Sequence, residues 1–259
     1  MRALFVILTF TRQDLIEKYS GSILGSLWSL LMPLVNILIF TIIFSKIMGA
    51  RLSVSGLELD EYNYSLYLVS ALLAWNCFAA CVTRTTTIYQ EKAGIISKVN
   101  IGLRTLPVYI LLSETIIYVI SMVFFTAFAL IVGHSFGWAV LALPVLFLIQ
   151  QIIAYSLGLI AATFSVFIRD IRELVAILFH VWFWMTPIVY VINILPDGLS
   201  SLMSFNPAIG FIEAYRDIIL MNKLPGLEFM LTASLVALSL FVFAQYINKH
   251  LQSDIRDFI

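Results

Sequence analysis

The sequence predicts an all-α membrane protein with six transmembrane helices per protomer. Of its 259 residues, 61% are hydrophobic and 12% are charged, whereas soluble domains are near half apolar and a quarter charged. Several uncharged stretches reach the ~20 residues that a ~30 Å hydrocarbon core requires. This composition excludes a soluble enzyme. The formal net charge of zero excludes the basic surface typical of nucleic-acid binding.

The gaps between charged residues locate the spans. The long stretch between Arg104 and Arg169 contains one charge, Glu114, and is split by the turn-forming residues 133–137 into two spans. The six predicted spans lie near residues 27–48, 64–84, 107–132, 138–166, 174–194 and 229–247.

The placement of lysine and arginine predicts that both termini are cytoplasmic. The two termini and the second and fourth connections carry eleven basic residues, and the other side carries four. This asymmetry follows the positive-inside rule. We expect one domain over 1–259, with an interface helix and elbow in 1–26, the six-span bundle in 27–247 and a cytoplasmic tail in 248–259.

Two segments are predicted to lie at the membrane without crossing it. Residues 3–11 are apolar but too short to span, and no small-residue cleavage site follows them, which favours an uncleaved amphipathic interface helix over a signal peptide. Residues 198–212 are also uncharged and short, and Asn206-Pro207 divides them. We predict a pair of short re-entrant helices between the fifth and sixth spans, with a plain exterior loop as the alternative.

Several kinds of site are absent from the sequence. There is no phosphate-binding GxxxxGK[ST] loop, so energy from ATP would have to come from a partner. No metalloprotease, serine-hydrolase or paired-carboxylate motif occurs. Cys77 and Cys81, one helical turn apart, fit packing positions, and no Cys/His cluster predicts a metal site.

Residues 12–34, RQDLIEKYSGSILGSLWSLLMPL, resemble the opening of type-2 ABC exporter permeases that move lipid-linked polysaccharides. The resemblance is closest to Wzm-type O-antigen exporter permeases, with capsule and teichoic-acid permeases as near relatives. The sequence departs from the pattern of these permeases at two places. Ala74 stands where a proline is common, and Ile101-Gly102 stands where a Phe-Pro step is usual. Further matching motifs follow in order at Trp75-Asn76, FIRDI (167–171), FWMTPIVY (183–190), Asn206-Pro207 and EAYRD (213–217).

The resemblance implies a homodimer in the inner membrane, with two copies of a cytoplasmic ATPase that bind ATP and Mg²⁺. This chain itself would hold no cofactor and would carry out no chemistry on a lipid-linked glycan. The resemblance also implies a coupling segment within 88–104 seated on the ATPase; a solvated basic loop is the alternative. The coupling residues would be Glu91, Lys92, Ile95, Ile96 and Lys98.

Aromatic side chains are the candidates for a glycan path, because sugars present apolar C–H faces on which rings stack without fixing one register. Aromatic residues make up 14% of the chain and also gather at membrane interfaces, so packing or anchoring is the alternative. The candidates are Phe40, Phe44, Trp182, Phe183, Trp184 and Tyr190.

Charged residues near the membrane are candidates for structural or gating roles. Glu114 lies inside a span, where a charge costs at least ~2.5 kcal/mol, and we expect it to pair with Arg84 or Arg104. Arg169 and Asp170 are expected to form an ion pair at the entry of the fifth span. The outer gate would comprise Asn206, Pro207, Glu213, Arg216 and Asp217, the last three bracing it by mutual pairing at i, i+3 and i+4.

Two other functions remain open at this point. A capsule, a teichoic acid or a small hydrophobic compound is the alternative cargo. A membrane enzyme that acts on lipid carriers is the remote alternative, since converging catalytic groups are missing from the sequence.

Overall fold

The computed structural model describes residues 2–18, 35, 38–39, 53–54, 57–58, 61–99, 101–190, 203 and 205–259. Short 3₁₀ turns at Leu103–Thr105 and Trp138–Ala142 lead into two of its helices. The helices are α1 Arg2–Glu17, α2 Glu61–Glu91, α3 Ala93–Ile96, α4 Leu106–Ile131, α5 Leu143–Phe167, α6 Ile171–Trp184, α7 Pro207–Leu220 and α8 Leu227–Phe258.

The all-α prediction is confirmed except for one small hairpin. Strands β1 Ser53–Val54 and β2 Leu57–Glu58 pair antiparallel, with Ser53 opposite Glu58. Two residues per strand contribute little burial, so the fold depends on helix packing.

Four helical segments in the described part of the chain are long and apolar enough to cross a membrane. They correspond to the predicted second, third, fourth and sixth spans. The predicted first span, 27–48, lies outside the described residues except at Val35, Leu38 and Ile39. The four segments are Ser65–Glu91, Leu103–Ile131, Trp138–Phe167 and Leu227–Phe258.

The predicted fifth span, 174–194, is wrong as a single continuous helix. Helix α6 has 14 residues and ends at Trp184, about 21 Å at 1.5 Å per residue, which is shorter than the hydrocarbon core. Residues 185–190 form turns and bends. Pro187 explains the break, because its ring disfavours helical backbone at Thr186 and it has no N–H to donate.

Helix α2 is the centre of the bundle and packs most extensively against α5. The two backbones approach closely, because a Cβ added at Gly158 would lie 2.8 Å from Thr85 Cβ. Ala154 and Ala162, one turn to either side of Gly158, are fully buried. Small residues at every fourth position thus form the face of α5 that packs on α2.

Helix α1, Arg2–Glu17, lies within the predicted interface helix and elbow of residues 1–26, and residues 19–26 lie outside the described residues. It packs on α4: the Phe10 and Tyr109 ring centroids are 5.5 Å apart. The Thr11 hydroxyl donates to the Tyr109 carbonyl at 3.4 Å. The opposite face of α1, with Phe5 and Leu8, is exposed. Its location in the membrane interface stays a prediction.

In residues 248–259, predicted as a cytoplasmic tail, α8 continues to Phe258. Asn248 is fully buried and donates to Tyr89 and Thr163. Ile255 is also fully buried, in a hydrophobic cluster at the end of the bundle where the α2–α4 connection lies. These contacts give the last turns of α8 a packed face.

Of the predicted pair of short helices between the fifth and sixth spans, α7 is the one that the structure describes. It has 14 residues, begins at Pro207 and packs against α2. The first member of the pair would fall on residues 198–205, of which the structure describes only 203 and 205.

Candidate functional site

Four charged side chains meet where α1, α2 and α4 come together. Arg84 of α2 lies between two carboxylates, with Nη2 2.5 Å from Asp14 Oδ1 and Nη1 2.5 Å from Glu114 Oε1. Lys18 Nζ is 3.1 Å from the same Glu114 oxygen. The Glu114 side chain is 6% exposed. Two cations therefore neutralise the buried carboxylate, and the cluster ties α1 to the bundle.

The predicted pairing of Glu114 with Arg84 is confirmed, and the ion pairs of the described residues do not include Arg104. Sequence reasoning missed Asp14 and Lys18 as members of this cluster. A signal was present, since these two residues are four positions apart and share one face of α1. A lone carboxylate at membrane depth also requires cations.

The predicted coupling segment is partly helical and exposes fewer of its residues than expected. Helix α2 extends to Glu91, and α3 forms one turn after it. Ile96 is 2% exposed, and Lys92 Nζ lies 5.9 Å from the ring centroids of both Phe10 and Tyr109. Ile96 therefore faces the protomer itself, and its prediction as a surface contact for a partner is wrong. Lys92 is half-buried, and its role as a partner contact stays a prediction.

The surface that this connection leaves exposed is small. Glu91 and Lys98 are exposed as predicted, and Ile95 is half-buried. The three exposed residues that directly follow α3, which we call the tip, are Ser97, Lys98 and Val99.

The aromatic residues of α6 divide into two groups. Trp182 and Phe183 belong to a cluster with α2, in which the Trp75 and Trp182 centroids are 5.6 Å apart and those of Trp75 and Phe183 are 6.2 Å apart. Trp184 is exposed. The cluster fastens α6 to α2, so packing is the role that the structure shows for Trp182 and Phe183.

The other aromatic path candidates lie apart from this cluster. The Tyr190 hydroxyl donates to the Trp184 carbonyl at 2.8 Å. Phe40 and Phe44 lie outside the described residues.

A groove of about 470 Å³ runs between α2 and α6. Most of its wall is apolar, but Asn76 and His180 are polar and exposed. Asn76 lies near the middle of the span Ser65–Glu91, at a depth where a polar side chain facing lipid is unfavourable. The groove is lined by Leu72, Trp75, Asn76, Ala79, Ala176, Phe179, His180, Phe183 and Trp184.

Asn206 joins the start of α7 to the end of α6. Its Oδ1 accepts from Trp182 Nε1 at 2.7 Å and from the Ala208 N–H at 3.0 Å. Its Nδ2 donates to the Met185 carbonyl and to Thr186 Oγ1, each at 3.0 Å. Asn206 is therefore the N-cap of α7, and Pro207 at the first helical position suits this start.

Arg216 is buried against α2 and the segment after α6. Its Cζ lies 3.5 Å from the Tyr67 ring centroid, and Nη2 donates to the Ile188 carbonyl at 3.0 Å. The predicted mutual pairing is wrong, since the ion pairs of the described residues include neither Glu213 nor Asp217. Arg216 points into the bundle, whereas Glu213 is exposed.

The carboxyl of Glu213 is affected by its surroundings on α7. Partial burial raises its pKa, the charge of Asp217 raises it further, and Arg216 acts in the opposite direction. The pKa of Asp217 is also raised by burial, with Lys223 lowering it. Helix α7 thus carries two carboxyls that favour protonation more than free side chains do.

The predicted ion pair of Arg169 and Asp170 is also wrong. Both residues are exposed, and neither takes part in an ion pair of the described residues. Asp170 is the N-cap residue of α6. Its charge lies near the positive end of the helix dipole, which favours it without help from Arg169.

Comparison with known proteins assigns the family. Residues 6–220 match the ABC-2 type transporter family. The chain belongs to this family. The resemblance to type-2 ABC permeases, drawn from the motifs, is thereby confirmed, and the apolar helices agree with a transmembrane ABC-2 permease.

Relatives of this ABC-2 transporter chain are named as export permeases. It is 24% identical over 237 residues to the O-antigen export system permease protein RfbA of Myxococcus xanthus, covering 91% of this chain and 88% of the relative. Two proteins of that name from Klebsiella pneumoniae are each 26% identical. The matches cover 87% and 85% of this chain, and 83% and 82% of the relatives.

The two cysteines of this ABC-2 transporter chain are buried and free. Cys77 Sγ donates to the Glu114 carbonyl at 3.7 Å, and Cys81 Sγ to Gln151 Oε1 at 3.4 Å. The prediction that they occupy packing positions is confirmed. Within the described part of the chain, no group of three or more His, Cys, Asp or Glu residues is placed to hold a metal ion.

Proposed function

We propose that this ABC-2 transporter chain is the transmembrane subunit of an ATP-driven exporter of lipid-linked polysaccharide, of the O-antigen type. It moves this cargo from the cytoplasmic to the periplasmic side of the inner membrane. Two copies form the permease with six spans each, the fifth interrupted after Trp184. Both termini are cytoplasmic, and two copies of an ATPase subunit bind ATP and Mg²⁺. Family membership and three relatives named as O-antigen export permeases support this proposal.

The groove between α2 and α6 is the observation that carries the proposal. Asn76 and His180 are polar side chains exposed among apolar and aromatic neighbours. Facing lipid, they would be costly; facing a wet path between two copies, they can bind sugar hydroxyls. Trp184 at the edge of the groove offers a ring for the apolar faces of sugars.

The tip and the charged cluster supply a route for coupling. In this proposal the ATPase contacts the exposed tip, together with Glu91. Arg84 joins α1, α2 and α4 through ion pairs, so a displacement of the connection between α2 and α4 moves these helices together. The path between the two copies then opens to the lipid-linked glycan.

The test is export by inside-out membrane vesicles that contain the permease, its ATPase and a lipid-linked O-polysaccharide. Asn76→Leu and His180→Leu are expected to reduce ATP-dependent transfer into the lumen. His250→Leu on α8 is the matched control, because His250 is exposed away from the groove. Full transfer by both groove variants would contradict the path assignment.

The same vesicles distinguish the alternatives. Transfer of a capsule or teichoic-acid precursor in preference to O-polysaccharide would change the cargo and keep the transport mechanism. Chemical conversion of the lipid carrier by the permease without its ATPase would overturn the exporter proposal.

A further inference from the structure

Helix α8 is longer than a membrane span requires. Its 32 residues correspond to about 48 Å at 1.5 Å per residue, against ~30 Å of hydrocarbon. The excess lies at the C-terminal end, where polar residues follow the apolar stretch. This end packs beside the connection between α2 and α4.

The first link between α8 and that connection passes through a tyrosine of α5. Gln245 Nε2 donates to the Tyr155 hydroxyl at 3.0 Å. The Tyr155 hydroxyl in turn donates to the Arg104 carbonyl at 2.9 Å. One polar side chain of α8 thereby reaches the backbone at the end of the connection.

The second link passes through a tyrosine of α2. Asn248 Nδ2 donates to the Tyr89 hydroxyl at 2.9 Å, and that hydroxyl donates to the Leu103 carbonyl at 3.2 Å. Asn248 comes three residues after Gln245, so both lie on the same face of α8. Asn248 and Tyr89 are both fully buried, which makes this link costly to break.

The third link is direct and lies nearest to the tip. Arg256 Nη2 donates to the Ile101 carbonyl at 2.6 Å, and Nη1 lies 3.4 Å from the Ile96 carbonyl. These two carbonyls flank the tip on either side. The preceding residue, Ile255, is fully buried in the same cluster as Ile96, so the backbone that carries the guanidinium is itself held in place.

We propose that Arg256 is the positioning residue for the tip, and that Gln245 and Asn248 fix the rest of the connection to α8. A guanidinium suits this role because its planar fork reaches two acceptors at once, whereas a lysine ammonium is a compact point charge on a flexible stem. The role in transport rests on the proposed function, in which the tip contacts the ATPase. The positioning itself requires only the contacts of this chain.

Hydrogen exchange of the purified full-length permease in lipid nanodiscs tests the positioning without the ATPase. We expect Arg256→Gln to raise exchange of the amides in 96–101 by about tenfold, and Arg256→Lys to have an intermediate effect. Lys249→Gln is the matched control, since Lys249 is an exposed cation on the same helix. Unchanged exchange in 96–101 for Arg256→Gln would overturn the proposal.

Folding and function are read in the same samples. The protection of peptides from α2 and α5 against hydrogen exchange shows whether a variant is folded. If Arg256→Gln is not folded, Arg256→Lys is used in its place. The complex with the ATPase then gives ATP-dependent export. Faster exchange together with weakened export for Arg256→Gln, and neither for Lys249→Gln, is the supporting result. Faster exchange with normal export would leave the positioning intact and contradict the role of the tip in the proposed function.

Discussion

Arg84 and Glu114, thirty positions apart in the sequence, form an ion pair in which Nη1 and Oε1 are 2.5 Å apart. The same guanidinium holds Asp14 of α1, so one side chain connects three helices. Because Glu114 is almost completely buried, this cation and Lys18 compensate its carboxylate.

The first prediction concerns this ion pair. Arg84→Gln leaves two carboxylates short of a cation, and we expect the free energy of unfolding to fall by about 3 kcal/mol. Glu114→Gln should cost less, because Arg84 keeps Asp14. The double variant should recover part of the loss, since it leaves no buried carboxylate at position 114. Unfolding by sodium dodecyl sulfate in mixed micelles measures all three.

Arg104→Gln is the control for this series. Arg104 was the other partner that the sequence allowed for Glu114, and its side chain takes no part in the ion pairs of the described residues. A loss for Arg104→Gln equal to that for Arg84→Gln would show that the effect is not specific to the cluster.

The second prediction concerns the contact between α2 and α5. An added Cβ at Gly158 would lie 2.8 Å from Thr85 Cβ, so Gly158→Ala forces the helices apart. We expect a loss of about 1–3 kcal/mol in the free energy of unfolding, as for other overpacked cores. Gly94→Ala is the control, because a Cβ there meets no atom within 4 Å. Equal stability of the two variants would contradict the close approach.

The third prediction concerns Arg216 of α7. Arg216→Gln removes the charge over the Tyr67 ring and the hydrogen bond to the Ile188 carbonyl. We expect a loss of about 2 kcal/mol, with easier labelling of a cysteine introduced at 189. Arg169→Gln changes an exposed arginine and should be neutral. Labelling at 189 that is the same in both variants would mean that Arg216 does not hold this segment.

The fourth prediction concerns pH. The pKa of Glu213 is raised above its usual 4.5, chiefly by burial. The folded state therefore prefers the protonated carboxyl, and this contribution to stability is lost as the pH rises through the raised pKa. Glu213→Gln stays neutral, so its melting temperature should exceed that of the wild type at about pH 8 and match it at about pH 4. Because the side chain is partly solvated, the effect should be small; Glu228→Gln on α8 serves as the control.

Hydrophobic patterning predicted the long helices well and failed where backbone chemistry interrupts a uniform apolar run. The spans at 64–84 and 138–166 correspond to the segments Ser65–Glu91 and Trp138–Phe167. The helix in the predicted span at 174–194 is shorter than predicted, because Pro187 terminates α6 although the stretch around it is uncharged. The absence of charge indicates that a segment can lie in lipid, but it does not indicate where its helix ends.

The predictions of site residues were less accurate, because the type of a residue does not show in which direction its side chain points. Trp182 and Trp184 were equivalent candidates in sequence, yet one packs against Trp75 and the other is exposed. Ile96 was expected at a partner surface and is buried within its own protomer. The rotation of each helix about its axis is set by the neighbours that it packs against, and one sequence does not list those neighbours.

By itself, the sequence determined that this ABC-2 transporter lies in a membrane, to which family it belongs and where its long apolar helices lie. These conclusions depend on composition, motif order and charge spacing, which are local properties of the chain. Only the tertiary structure decided that Arg84 connects Asp14 to Glu114, that α8 continues to Phe258, and that Arg256 reaches the carbonyls on either side of the tip. These contacts join residues far apart in the chain, and their partners are selected by the distance and direction that helix packing imposes.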